Sequence, residues 1–184
     1  MKRIDTSLPG VCLIEPNVLE DERGFFFESY HKLKFAELGI EHRFVQDNHA
    51  RSVKHTLRGL HYQTKDPQAK LCRVVQGEVL DVVVDIRGGS PHFGKWESSV
   101  LSAANKRQMY VPPGFAHGYL VLTETAEFLY KCSDFYRPEF ERGLAWNDQD
   151  IGIRWGIQTP ILSAKDRINP ALADIALAEL PEYK

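Results

Sequence analysis

The sequence predicts an all-β protein whose strands form a closed or double-sheet structure. Turn-forming residues recur along the chain, as at Pro9-Gly10, Gly88-Gly89 and Pro112-Pro113-Gly114, and short runs rich in Val, Ile, Phe and Tyr lie between them. This alternation is typical of β-sandwiches and barrels. Because an open sheet of so many strands would leave exposed edges, we expect the sheets to close or to pair.

The clearest strand spans residues 78–86, where an apolar face alternates with a face that carries Asp81 and Asp85 among valines. A face of this kind either meets solvent or lines a polar cavity. A second strand spans 126–132 and places Phe128, Tyr130 and Cys132 on one face. Further strands are predicted at 11–14, 25–29, 44–48, 56–62, 71–75, 95–101, 107–111 and 119–123.

Helical signals are few, and they indicate short peripheral helices at 31–38 and 170–180. The second segment opens on Pro170, which suits a first helical turn. It then places Leu172, Ile175, Ala176 and Glu179 at helical spacing.

Length and composition predict one soluble domain spanning residues 1–184, with no repeat or linker. The formal net charge of −2 argues against a broad nucleic-acid surface. Cys12, Cys72 and Cys132 are odd in number and widely spaced, so neither a disulfide framework nor a zinc site is predicted. The N-terminus lacks the apolar segment of a signal peptide, and no apolar run is long enough to span a bilayer. We therefore expect a cytoplasmic protein without membrane contact.

The segment from Pro112 to Gly118 resembles the second cupin motif, in which P-x-G-x-x-H enters a strand of a jelly-roll barrel. Many cupins hold a metal through this His, an upstream H-x-H and a Glu. Here His61 is followed by Gln63 where the second His would stand, and Lys70 occupies the place of the Glu. A protonated lysine has no lone pair to offer and repels a divalent cation. The resemblance thus implies an all-β, cupin-type jelly-roll barrel with a few short peripheral helices, no metal and no cofactor.

Seven motifs together resemble the dTDP-4-dehydrorhamnose 3,5-epimerase family, in the expected order and over nearly the whole chain. They are residues 21–28 (DERGFFFE), 44–48 (FVQDN), 57–63 (LRGLHYQ), 114–118 (GFAHG), 127–131 (EFLYK), 146–148 (WND) and 162–166 (LSAKD). A local departure is Lys54-His55-Thr56, where the family more often has a small residue or Gly. The resemblance implies epimerisation of dTDP-4-keto-6-deoxy-D-glucose at C3 and C5 to dTDP-4-keto-L-rhamnose, a step in dTDP-L-rhamnose biosynthesis.

This chemistry defines the groups that the site must contain. The C4 ketone acidifies the protons on C3 and C5, and epimerisation removes such a proton to an enolate and returns one from the opposite face. A base, an acid and a donor near the enolate oxygen are required, with no metal or redox cofactor. His61 is the candidate base, and the resemblance makes Asp166 the carboxylate that orients it and stabilises its charged form.

Three further groups complete the predicted chemistry. Tyr130 is the candidate acid, and an adjacent cation would lower its pKa. Lys70 is the candidate enolate stabiliser. By resemblance His117 supports the ketone and Asp81 orients His117, although Asp81 alone would also suit a solvated edge position.

The resemblance also implies residues that hold the substrate. Tyr136 corresponds to the aromatic that stacks on thymine, and arginine suits a diphosphate because its guanidinium offers paired donors. The remaining substrate-binding candidates are Arg23, Glu28, Gln46, Asp47, Asn48, Arg58, Lys70, His117, Glu141 and Lys165. The family fold further implies a homodimer with N-terminal strand exchange, in which Arg23 and Glu28 serve the neighbour's site.

Arg58 and His61 are three residues apart, so a regular strand would point them to opposite faces. For both to reach one cavity, Gly59 must mark a bulge or a strong local twist.

Three alternatives to a double epimerase remain open at this point. A single epimerase would act at C3 or C5 alone, and the number of exchanged carbon-bound protons would distinguish it. A non-catalytic cupin would bind a nucleotide sugar without exchange. A metal-dependent cupin oxygenase or isomerase would lose activity with a chelator, but Gln63 and Lys70 argue against it.

Overall fold

The computed structural model describes residues 1–183, so Lys184, the last residue of the predicted domain, lies outside the described residues. Thirteen strands are found in the described part: β1 (Lys2–Asp5), β2 (Cys12–Glu15), β3 (Leu19–Asp21), β4 (Gly24–Phe26), β5 (Gln46–Val53), β6 (Leu57–Gln63), β7 (Lys70–Gln76), β8 (Glu78–Asp85), β9 (Trp96–Ser102), β10 (Gln108–Val111), β11 (Phe115–Val121), β12 (Thr125–Cys132) and β13 (Glu141–Gly143). One α-helix, α1 (Lys32–Glu37), precedes β5. Within residues 1–183, no helix combines the length and apolarity needed to cross a membrane.

The strands form two large antiparallel sheets and a separate hairpin. Sheet one has six strands in the order β1-β2-β10-β7-β12-β5, and sheet two has five in the order β13-β6-β11-β8-β9. Strands β3 and β4 pair only with each other. The predicted all-β, cupin-type jelly-roll class is confirmed, although the two sheets face each other as a sandwich and are not closed into a barrel by continuous pairing.

Three apolar clusters hold these layers together. The inner cluster lies between the sheets and contains side chains from both, such as Val83 on β8 and Phe128 on β12. A second cluster covers the outer face of sheet two with later parts of the chain, including Trp155 and Leu180. A third packs Phe35 of α1 onto the outer face of sheet one. Both sheets are therefore covered on two faces, which explains why β11 is buried along its whole length.

The two-faced pattern of β8 places its carboxylates inside the protein. Asp81 and Asp85 are fully buried, so their face lines the interior, and the solvated-edge interpretation of Asp81 is wrong. Asp85 accepts hydrogen bonds from Arg87 Nη2 at 2.6 Å and from Ser90 Oγ at 2.7 Å. Buried carboxylates persist only when such partners satisfy them.

The predicted helix at 170–180 is wrong. This segment contains two short 3₁₀ turns, Leu172–Asp174 and Leu177–Glu179, separated by extended backbone. Its apolar residues, Leu172, Ile175 and Leu180, pack onto the outer face of sheet two. Tertiary hydrogen bonds hold this path, because Leu172 N donates to Asp148 Oδ2 at 2.7 Å and Gly88 N donates to Pro181 O at 2.8 Å.

Most other predicted elements are present with shifted bounds. The helix predicted at 31–38 is α1, and His31 caps it by accepting from Lys34 N. Strand β5 continues to Val53 because its whole length pairs with β12, and β11 begins at Phe115, so the P-x-G-x-x-H motif runs into the strand itself. The short strands β1, β3 and β13 were not predicted.

The predicted irregularity at Gly59 is confirmed. His117 pairs with His61 and Tyr119 pairs with Arg58, so β6 has one residue more than β11 between these pairs. Gly59 has a φ of +120°, and its peptide bond to Leu60 is cis. A Cβ at Gly59 would lie 2.6 Å from Gly118 Cα. The bulge therefore depends on two glycines that face each other across β6 and β11.

We expect Gly59→Ala to destabilise the protein by roughly 3 kcal/mol or more, because a methyl group would meet backbone atoms at a positive φ. Urea unfolding measures the difference in the free energy of unfolding. Gly89→Ala is the matched control. Gly89 has a φ of +85° and open space around its Cβ position, so this substitution has the cost of a positive φ without a steric clash. Equal losses for the two variants would contradict the importance of the close approach.

Candidate active site

A cavity of about 610 Å³ opens between the two sheets. Strands β5, β7 and β12 of sheet one and β6 and β11 of sheet two contribute to its walls. Its lining contains most of the predicted site residues: Gln46, Asn48, Arg58, His61, Lys70, His117, Tyr130, Tyr136, Glu141, Lys165 and Asp166. Residues from across the chain thus meet in one place, as the motif interpretation requires.

His61 and Asp166 form a hydrogen-bonded pair on the side of sheet two. His61 Nε2 lies 2.6 Å from Asp166 Oδ1, and the Asp166 side chain is only 4% exposed. Burial acts to raise the pKa of Asp166, but hydrogen bonds from His61 and Ser163 outweigh it and hold the pKa below its usual value. An ionised carboxylate only accepts, so the proton of this bond belongs to Nε2 and the lone pair of a neutral His61 lies on Nδ1.

Tyr130 belongs to the opposite wall of the cavity. It lies on β12 in sheet one, whereas His61 lies on β6 in sheet two. Burial raises the pKa of Tyr130 and outweighs the opposing charge of Arg58. The neighbouring cation Arg58 lowers this pKa as expected, but its effect is smaller than that of burial, so the pKa is raised overall. The phenol stays protonated, which is the form that a proton donor needs.

Lys70 enters the same cavity from sheet one, at the first residue of β7. The sheet register pairs Lys70 with Cys132 on β12, and Tyr130 and Cys132 line the cavity with it. Lys70 therefore places its charge in the cavity from the sheet that carries Tyr130.

His117 is held by Asp81 on the neighbouring strand. His117 Nε2 is 2.9 Å from Asp81 Oδ1, and both side chains are almost fully buried. Cys72 Sγ lies 3.8 Å from the same His117 nitrogen. Among the described residues, Cys72, Asp81 and His117 are the group whose donor atoms are close enough to hold a metal ion, within 4.8 Å of one another. The hydrogen bond to Asp81 fixes the orientation of the His117 ring.

A second polar group lies at the rim of the cavity. Tyr136 Oη donates to Glu141 Oε2 at 3.1 Å, and the Lys165 ammonium forms an ion pair with the same carboxylate oxygen. Burial acts to raise the pKa of Glu141, but the bond from Lys165 and the nearby His61 and Tyr136 lower it overall. Tyr136 itself is 48% exposed. This arrangement presents an aromatic ring beside a cation at the cavity entrance.

Polar side chains from β5 and β6 continue the lining. Gln46 Nε2 donates to Asn48 Oδ1 at 3.1 Å. Arg58 Nε donates to Ser52 Oγ at 3.0 Å, and Ser52 is buried. Ser52 therefore holds the Arg58 guanidinium at Nε, and Arg58 lines the cavity.

Three predicted substrate-binding residues do not line the cavity of their own chain. Arg23 lies in the turn between β3 and β4 and pairs with Asp21. Glu28 forms an ion pair with Lys34. Asp47 pairs with Lys131, because it alternates along β5 with Gln46 and Asn48 and so faces away from the cavity.

Sequence reasoning missed several residues that support the site. Ser52 holds Arg58, and Ser163 Oγ accepts from Asp166 N at 3.1 Å. Ser163 lies within a quoted motif, but Ser52 has no local signal, because its contact depends on how β5 and β6 pack. Gln63 was considered only as a lost metal ligand, yet its amide makes hydrogen bonds to two loops.

Comparison with protein families finds a match over residues 5–174 to the family described as dTDP-4-dehydrorhamnose 3,5-epimerase. The chain is 55% identical over 176 residues to the dTDP-4-dehydrorhamnose 3,5-epimerase of Pseudomonas aeruginosa. The alignment covers 95% of this chain and 97% of that protein.

Solved structures agree with this match. The chain is similar to dTDP-6-deoxy-D-glucose-3,5-epimerase from Legionella pneumophila in complex with dTDP-4-keto-L-rhamnose, with a TM-score of 0.97, 48% identity, and coverage of 100% of this chain and 98% of that one. It also resembles a 3'-monoepimerase from Streptomyces bikiniensis in complex with dTDP-quinovose, with a TM-score of 0.90, 37% identity, and coverage of 97% and 92%. With the family match over most of its length and these relatives, the chain belongs to the dTDP-4-dehydrorhamnose 3,5-epimerase family.

Proposed function

We propose that this protein epimerises dTDP-4-keto-6-deoxy-D-glucose at C3 and C5 to give dTDP-4-keto-L-rhamnose, in dTDP-L-rhamnose biosynthesis. The observation that carries the proposal is the placement of His61 and Tyr130 on opposite walls of one cavity. Inversion at carbon requires a base on one face and an acid on the other. The Pseudomonas aeruginosa and Legionella pneumophila relatives bear the names of enzymes for this reaction.

In the first step, the free nitrogen of His61 takes the proton from the carbon next to the ketone. The electron pair of that C–H bond forms a C=C bond to C4, and the carbonyl electrons move to the C4 oxygen. Asp166 stabilises the imidazolium through its buried hydrogen bond. Lys70 lies in the cavity as a donor for the enolate oxygen, and His117, whose Nε2 is bonded to Asp81, can donate there from Nδ1 in its protonated form.

In the second step, the Tyr130 hydroxyl gives its proton to the other face of the same carbon, and the C4 ketone forms again. The phenolate then takes a proton from solvent, and His61 loses its proton to solvent. The cycle repeats at the second carbon. Protons and electrons balance without a redox or metal cofactor.

The rim residues hold the nucleotide in this proposal. The Arg58 guanidinium and the Lys165 ammonium bind the diphosphate, because both are charged donors beside the cavity. Tyr136 stacks on thymine, and Gln46, Asn48 and Glu141 complete the polar lining.

We further propose a homodimer in which the β3–β4 hairpin packs on a second copy and brings Arg23 and Glu28 to the neighbour's site. Leu19, Phe25 and Phe26 on this hairpin are at least 60% exposed, and exposed apolar patches favour protein contacts. A protein that elutes as a stable monomer in size-exclusion chromatography and keeps full epimerase activity would contradict this assembly.

We also propose that the chain is one epimerase domain acting in the cytoplasm. The three cysteines are free and buried, which suits a reducing compartment.

The function is tested by incubating the protein with dTDP-4-keto-6-deoxy-D-glucose in deuterated water and following C3 and C5 by NMR. We expect deuterium at both carbons with the native protein and at neither with His61→Ala, because that variant lacks the base. His49→Ala is the matched control, since His49 is an exposed residue on β5.

The pattern of labelling distinguishes the alternatives. Deuterium at one carbon would indicate a single epimerase, the activity named for the Streptomyces bikiniensis relative. Binding without exchange in the native protein would replace the enzyme with a nucleotide-sugar-binding module.

We expect Asp166→Asn to lower kcat roughly 10²- to 10⁴-fold, because the imidazolium loses its charged partner. Glu124→Gln, which removes an exposed carboxylate, is the control. The lowered pKa of Asp166 contributes stability that is present above about pH 4, the ordinary value for Asp, and is lost as pH falls through the folded value. The difference in unfolding free energy between the native protein and Asp166→Asn should therefore shrink as the pH falls below about 4. A kcat within threefold of native would contradict the role of Asp166.

A further inference from the structure

Gln63 is a buried amide whose side chain is used entirely within the protein. It ends β6, two residues after His61, and is 6% exposed. Its Oε1 accepts from Arg137 N at 2.9 Å, and its Nε2 donates to Asp66 O at 2.9 Å. Gln63 lines the cavity, but both ends of its amide are engaged within the protein.

These bonds close a ring of interactions around one segment of the chain. Asp66, whose carbonyl accepts from Gln63, also pairs through its carboxylate with the Arg137 guanidinium. Arg137 in turn donates its backbone N–H to Gln63. The ring therefore fixes the backbone at Arg137 from two directions.

The residue before Arg137 is Tyr136, the aromatic at the cavity rim. Tyr136 N donates to Gln46 Oε1 at 2.9 Å, so two glutamine side chains accept from two successive backbone N–H groups. A third glutamine, Gln68, donates to Asp134 O at 2.7 Å. Tyr136 remains 48% exposed, so its ring is held by its backbone and by the bond to Glu141 rather than by burial.

We infer that Gln63 is a positioning residue, which fixes the segment carrying Tyr136 and thereby sets the affinity for the nucleotide base. This inference rests on the proposed stacking of Tyr136 on thymine. Gln63 acts through Tyr136, and the phosphate-binding and proton-transfer groups are on other segments. Loss of its amide therefore weakens binding of the base and leaves the chemical step in place.

The test compares Gln63→Met, which keeps the side-chain length and removes both hydrogen bonds, with the native protein. We expect the Kd for dTDP, measured by calorimetry, to rise about tenfold, the effect of roughly one to two neutral buried hydrogen bonds. The KM for the nucleotide sugar should rise with it, and kcat should stay within about threefold. The Kd for inorganic pyrophosphate, which has no base, should not change.

Three further variants make the test specific. Gln76→Met alters an exposed glutamine on β7 and should match the native protein. Arg137→Met opens the same ring by removing the ion pair with Asp66 at a partly exposed position; it should also raise the Kd for dTDP, and it covers the case in which Gln63→Met does not fold. In a Tyr136→Ala background, Gln63→Met should add little to the loss of dTDP affinity, because the two residues act on one contact.

The outcomes separate this inference from the proposed function. If the native protein neither binds dTDP nor exchanges protons, the proposed function fails. If the native protein does both and Gln63→Met leaves the dTDP Kd unchanged, the role of Gln63 alone is wrong. Equal losses for dTDP and pyrophosphate, or additive losses with Tyr136→Ala, would also overturn it, since they indicate general damage to the cavity.

Discussion

The structure of the site depends on the close approach of β6 and β11 at Gly59 and Gly118. A Cβ at Gly118 would lie 2.6 Å from Arg58 O, and one at Gly59 would lie 2.6 Å from Gly118 Cα. This contact accommodates the extra residue of β6, so Arg58 and His61 line the same cavity although they are three apart. A regular strand would have placed the phosphate-binding cation and the base on different sides of the sheet.

Carboxylates that are largely buried beside a polar cavity are costly unless each has a partner. Here the pairs are His61 with Asp166, His117 with Asp81, and Lys165 with Glu141. Each pair also directs a side chain toward the cavity. The contacts that offset the free-energy cost of burial are therefore the same contacts that orient the reacting groups. The half-buried Tyr130 is the complementary case, because its partial burial raises the pKa of the phenol and keeps it protonated.

Much of the fold and the site could be predicted from local pattern. The alternation in β8 and β12 indicated which residues share a face, and the spacing of Arg58 and His61 required the bulge at Gly59. The helix at 170–180 was wrong because its helical spacing reflects packing of Leu172, Ile175 and Leu180 onto a sheet. The pairs of Ser52 with Arg58 and of Gln63 with Arg137 depend on tertiary packing, which no local pattern carries. The Asp47 side chain does not line the cavity with those of Gln46 and Asn48. These residues are adjacent in one motif, but successive residues of a strand point to opposite faces.

The central claim is that His61 and Tyr130 act on opposite faces of the same carbon, and Tyr130→Phe tests it most directly. The rate of deuterium exchange at C3 and C5 is compared with the rate of inversion at the same carbons. The account predicts that exchange persists, because His61 still removes and returns protons on its own face, while inversion slows by about 10²-fold or more. Loss of exchange and inversion by the same factor, or inversion at the native rate, would contradict it.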